Sequence, residues 1–198
     1  SHLLGGFVTA SLLTLLLVKL RRIGSQVKPL SLVNITHSRL QAWASVALVL
    51  VIVQVFLGGW MSSNYAALAC STLPDCNGSW WPEMNFSEGF DLTQTLGPSY
   101  LGGLMHAEAR QAIHVLHRYG AIILAVFIVL MSYQLIKQDD KRLRLFGFGF
   151  LAVFIVQFCL GLANIYYFLP LAVAVGHNFF GACLFVLTVS LYYLVFSK

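Results

Sequence analysis

Charge is what this sequence has least of. Lys, Arg, Asp and Glu make up 10% of its 198 residues, against 59% hydrophobic residues and a mean hydropathy of +0.80. Soluble globular domains carry about a quarter charged residues, so a soluble fold is excluded and an integral membrane protein is expected. No clustered basic and aromatic surface is present, which argues against nucleic acid as a partner. There is no C-x-x-C, the motif a thiol relay would use. The chain opens at Ser1 without methionine or a charged n-region, and no small-residue cleavage site precedes Lys19, Arg21 and Arg22. Leu3 to Leu20 therefore reads as a membrane helix and not a signal peptide, and its abrupt start predicts a segment of a longer protein.

What is present is a set of uncharged runs long enough to span a bilayer: Leu3 to Val18, Ala42 to Met61, Ala121 to Ile136 (extended back to about Arg110), Leu145 to Pro170 and Leu171 to Phe196. They predict an all-α polytopic membrane protein of five helices. The connections alternate in sign. Lys19, Arg21, Arg22, Lys28 and Arg39 give the first +5 with no acid. Asp75, Glu83, Glu88, Asp91 and Glu108 against Arg110 give the second −4, and four bases against Asp139 and Asp140 give the third +2. By the excess of bases on cytoplasmic loops, segments 19–41 and 137–144 face the cytoplasm and the loop 62–108 faces outward. A bacterial-type inner membrane is expected, or the mitochondrial inner membrane in a eukaryote.

A repeat orders the helices. Ile52-Val53-Gln54-Val55-Phe56-Leu57-Gly58 recurs as Ile155-Val156-Gln157-Phe158-Cys159-Leu160-Gly161, 103 positions later. His2-Leu3-Leu4-Gly5-Gly6 and His177-Asn178-Phe179-Phe180-Gly181 share H-x-x-x-G. Residues 42–198 then form a four-helix unit, 21–41 a cytoplasmic linker, and 1–20 the last helix of a preceding unit whose other three helices lie upstream. Gly58, Gly59, Gly161 and Gly181 would let helices approach closely, as small residues do in bilayers.

His117 and His177 lie on separate apolar runs, each roughly 10 Å below the outer face at about 1.5 Å per residue. A lone membrane histidine is ordinarily a neutral, hydrogen-bonded packing residue. Two at matching depth on alternate helices point instead to a ligand pair, since ionisable groups at that depth are costly. Two imidazoles across a bundle suit the axial positions of a haem iron better than zinc or copper, which need more ligands close by. His114 falls on nearly the same helical face as His117, near the pocket without ligating iron, while Arg118 is rotated by about 100° and would either pair with propionates or snorkel to water. Phe179, Phe180, Tyr166, Tyr167 and Phe168 would line a macrocycle or form an ordinary interfacial belt.

The loop from Ser62 to His106 is too long for a plain connector and is expected to fold as a cap. Cys70 and Cys76 lie in it around Pro74, and an oxidising compartment with so short a spacing favours a disulfide, as a staple or as a redox pair. Cys159 and Cys183, within apolar helices, read as packing residues.

Gly58-Gly59-Trp60-Met61-Ser62-Ser63-Asn64-Tyr65-Ala66-Ala67-Leu68-Ala69-Cys70, then Cys76-Asn77-Gly78-Ser79-Trp80-Trp81-Pro82 and the His117-Arg118 pair, closely resemble the haem A synthase family. That resemblance covers the whole chain. It implies eight helices in two pseudo-symmetric halves, of which these are helices four to eight, and oxidation of the C8 methyl of haem O to the formyl of haem A. It also implies that His117 and His177 are axial ligands of a haem b cofactor that relays electrons, and that His2 belongs to the substrate-haem site of the other half. The family's E-x-x-H-R segment is missing, since the only H-R here is preceded by His114; the segment alone is expected to be inactive. Expected partners are the haem substrate, membrane lipid, a haem O synthase, and a quinone or other electron carrier. A quinol-linked b-type cytochrome is the alternative that uses the same histidines, with a membrane thiol oxidoreductase behind it.

Overall fold

In the computed structural model, residues 2–24, 34–93 and 105–197 are described. Long helices are α1 (His2–Gly24), α2 (Asn34–Ser63), α4 (Ala107–Ile136), α5 (Lys141–Tyr166) and α6 (Leu171–Phe196), with a single turn, α3 (Phe86–Gly89), between α2 and α4. A bilayer offers backbone groups no water, so apolar runs of this length close their hydrogen bonds within one helix. Four helices (α2 from His37, α4, α5 and α6) are long and apolar enough to cross a membrane, and the apolar part of α1, Gly5–Leu20, is shorter. The protein is all-α and multi-pass.

Helix α2 starts eight residues before the apolar run it contains, within the expected linker. The polar first turns have a partner: His37 Nε2 and Gln41 Nε2 both donate to the Val195 carbonyl, at 2.7 and 3.2 Å, tying the start of α2 to the end of α6.

The helices pack in a ring. α2 touches α4 and α6, and α5 touches α4 and α6, whereas the diagonals α2/α5 and α4/α6 make no close approach among the described residues. α1 lies outside the ring, against α6 and the edge of α2. Glycine sets one crossing: a Cβ on Gly147 would lie 2.9 Å from the Ser132 carbonyl oxygen, so α5 can meet α4 there only without a side chain.

One end of the ring is filled. Leu40, Ala44, Ala47 and Val51 of α2, Leu124 to Leu135 of α4, Leu143, Phe150 and Phe154 of α5, and Leu184, Leu191 and Val195 of α6 form a single apolar cluster. The other end carries the cap. Residues 64–93 fold over it, with α3 against α4, Trp60 Nε1 donating to the Gly89 carbonyl at 2.8 Å, and Asn85 N donating to Glu108 O at 3.2 Å. His106 closes the joint by donating from its main chain to Glu88 Oε1 at 2.9 Å, with its ring Nδ1 also 2.9 Å from that oxygen. These bonds, the main-chain one foremost, hold the Glu88 carboxyl below its usual pKa.

Candidate functional site

The cap is stapled. Cys70 and Cys76 form a disulfide with Cα atoms 4.6 Å apart, as their spacing predicts. Arg118 holds the stapled loop from below: its terminal nitrogens donate to the carbonyls of Cys70 at 2.7 Å, Thr72 at 3.0 Å and Asp75 at 2.6 Å. Arg118 does reach toward the capped end, where its terminal N–H groups meet main-chain oxygen. His114, one turn earlier on the same face, is buried, and its Nδ1 donates to the Ala66 carbonyl at 2.9 Å. Tyr119 adds a bond from its hydroxyl to Trp80 O at 3.0 Å. These α4 side chains are fasteners of the cap.

His117 points elsewhere. Gln54 of α2 donates from its carboxamide nitrogen to the His117 carbonyl at 2.9 Å, and the same nitrogen faces the His117 Nδ1 at 3.1 Å. The imidazole lies against Gly58, where a Cβ would come within 3.2 Å of Cε1. His177 meets the matching glutamine and glycine of α5 through different hydrogen bonds. Its Nδ1 donates to the Gln157 carbonyl at 3.1 Å, the Gln157 carboxamide donates to its Nε2 at 3.3 Å, and a Cβ on Gly161 would come within 3.1 Å of Cε1.

The repeat therefore has a structural meaning. Glutamine and glycine four apart share one helical face, and each Gln-x-x-x-Gly face on α2 or α5 seats one histidine, from α4 or α6 respectively. Helix pairs α2/α4 and α5/α6 are two copies of one device, arranged so that the histidines occupy diagonal helices. The short α5–α6 turn fixes the second copy: Phe168 and Leu169 adopt positive φ of 56° and 62°, and Leu169 N donates to Asn164 O at 2.7 Å. That reversal returns the chain so that His177 faces Gln157.

The sequence reading picked out the histidines and the glycines but passed over the glutamines, although Gln54 and Gln157 occupy the same place in the repeated heptapeptide. Two buried oxygens bear on what could bind: Gln54 Oε1 and Gln157 Oε1 have no hydrogen-bond partner. In a low-dielectric interior each such group costs about 1–3 kcal/mol. The α4/α6 diagonal has no close approach among the described residues, and two imidazoles on it are the donor pair that a haem iron takes. Among the described residues no cluster of three or more His, Cys, Asp or Glu could enclose a metal ion.

Other expectations shift. Tyr166, Tyr167, Phe168 and Phe179 are 61–72% exposed and face off the bundle, as a belt does, so they do not line the interior between the histidines. Cys159 is also exposed on α5 and is not a buried packing residue, while Cys183 is half-buried. The side chain of His2 lies outside the described residues.

Fold and geometry define an all-helical, multi-pass membrane protein with a pair of interior imidazoles beneath a disulfide-closed cap. Residues 1–189 match the COX15-CtaA family, described as cytochrome oxidase assembly protein, and the chain belongs to that family. It is 40% identical over 199 residues to a protein named Heme A synthase from Shewanella oneidensis, covering 100% of this chain and 58% of that relative. Heme A synthases of Wolbachia pipientis subsp. Culex pipiens and Rickettsia canadensis are 26% and 22% identical, over 81% and 77% of this chain and 43% and 42% of theirs. The chain thus spans 58% of the Shewanella relative's length and 42–43% of the other two.

Proposed function

We propose that this chain is the haem-binding part of a haem A synthase, an oxidoreductase that converts the C8 methyl of haem O to the formyl of haem A. In this reading the capped end of the bundle faces the outer compartment, and His117 and His177 would hold the iron of a haem b. The observation that carries it is the duplicated seat: two histidines on diagonal helices, each held by the glutamine and glycine of one repeat. A haem bound there supplies one-electron relay chemistry. The chain's own residues bind, orient and exclude. Gly58 and Gly161 let the imidazoles approach α2 and α5 closely, while His114 and Arg118 keep the stapled loop over that end of the bundle.

Arg118 would then serve the haem through the cap, and a propionate could reach it only by competing with the carbonyls it already binds. The substrate site, with His2 among its ligands, is assigned to the other half of the longer protein. Haem O synthase and a quinone-type carrier fit as partners on chemical grounds.

Cells that make haem O but lack haem A should accumulate haem A when the full-length protein is expressed, as read by pyridine haemochrome spectra and extracted haem. A protein that binds haem at His117 and His177 but leaves haem O unchanged would favour the electron-transferring b-type cytochrome.

A further inference from the structure

The two seats are alike in sequence but not in hydrogen bonding. At His177 the Nδ1 partner is a main-chain oxygen, which can only accept. The hydrogen therefore sits on Nδ1, and Nε2 carries the lone pair, onto which the Gln157 carboxamide donates at 3.3 Å. That is the tautomer in which histidines usually ligate metals through Nε2, with the other nitrogen donating to a fixed acceptor. At His117 the Nδ1 partner is the Gln54 amide nitrogen, whose position is settled by its donation to the His117 carbonyl. A donor faces Nδ1, so Nδ1 is bare and the hydrogen sits on Nε2.

We propose that Gln54 and Gln157 are positioning residues that make the two imidazoles unequal: His177 already holds the tautomer that ligates through Nε2 and needs only the Gln157 carboxamide to leave that nitrogen, whereas His117 reaches that tautomer only when the Gln54 carboxamide turns. This rests on the haem-site reading above. Turning swings the unpartnered Oε1 of Gln54 onto Nδ1, at the expense of the amide's bond to the His117 carbonyl. The imidazole releases its Nε2 proton and takes one up at Nδ1, so its charge is unchanged and no electron moves. Gly120 keeps the space: a Cβ there would collide with Gln54 Oε1. His177 is then the permanent ligand and His117 the exchangeable one.

The test uses the full-length protein loaded with haem and follows the haem signal that His177→Ala removes. Gln54→Glu places an obligate acceptor at Nδ1, makes His117 the more basic ligand, and should lower the midpoint potential and slow carbon monoxide binding to the ferrous form. Gln54→Leu removes the acceptor and should do the reverse, speeding carbon monoxide binding about tenfold or more, the scale of outer-shell losses at metal-bound histidines. Gln157→Leu should shift both readings less, because the main-chain acceptor of His177 survives any substitution. Gly120→Ala, which jams the carboxamide, should behave like Gln54→Leu and gives a second route if that variant does not accumulate. Equal shifts from Gln54→Leu and Gln157→Leu, or shifts of one sign from Gln54→Glu and Gln54→Leu, would overturn the proposal while leaving the haem site intact. A signal that survives His177→Ala would overturn the haem-site reading, and the proposal with it.

Discussion

From Leu40, Leu135, Leu143 and Val195 at one end to Val51, Leu124, Phe154 and Leu184 near the middle, the four helices fill their shared interior with apolar side chains. From Gln54, His117, Gln157 and His177 toward the cap, amide, imidazole and glycine take their place. The same helices run through both regions. In the first, packing dominates stability beside the His37 and Gln41 bonds to the Val195 carbonyl, because lipid is as apolar as leucine and contributes no hydrophobic drive between helices. In the second, polar groups are half satisfied, and the cap is held from outside by a disulfide, an arginine and a buried histidine. One end specifies the bundle, and the other keeps unspent hydrogen-bonding capacity inside it.

If that division holds, damage to the filled end should be the costlier. Phe150→Ala, at a fully buried site, should destabilise the bundle by about 3–5 kcal/mol. Unfolding in detergent measures this, and the material that stays folded should keep its haem spectrum. At the capped end, replacing Cys70 and Cys76 by serine opens a short loop and should cost about 2 kcal/mol. The loss should appear as new proteolytic cleavage between residues 70 and 82 with the helices intact. Arg118→Lys keeps the charge but cannot span three carbonyls; amides of the stapled loop should exchange faster, reflecting about 1–2 kcal/mol of local stability.

Acid should have the smallest effect. Glu88 has a lowered folded pKa, so its contribution to the α3–α4 joint is present above the unfolded carboxyl pKa and is lost as pH falls through the folded value. Amide exchange at Gly89 and Phe90 should accelerate only in that acid window, and Glu88→Gln should abolish the dependence. Acceleration near neutral pH would mean that another group holds the joint.

Much of the filled end was legible from hydropathy, because a membrane helix announces itself by the length of its apolar run and charge falls between runs. The start of α2 at Asn34 was not legible: His37 and Gln41 look like linker residues until the Val195 carbonyl is seen to receive them. At the capped end the cysteine pair and the two histidines could be read, since thiols at short spacing and intramembrane imidazoles are rare enough to carry meaning. The binding of Arg118 could not, because carbonyl acceptors more than forty residues away leave no mark on composition. Gln54 and Gln157 were visible as a repeat, yet their role needed the ring order, which sets α2 beside α4 and α5 beside α6.

The central claim is that the polar end is a haem seat shared by His117 and His177, with His114 a fastener of the cap. It is tested most directly by the low-spin haem spectrum of three single variants of the full-length protein. His117→Ala and His177→Ala should each abolish the low-spin signal of this half, and His114→Ala should retain it with at most a small shift. A signal that survives His117→Ala and disappears in His114→Ala would contradict the account.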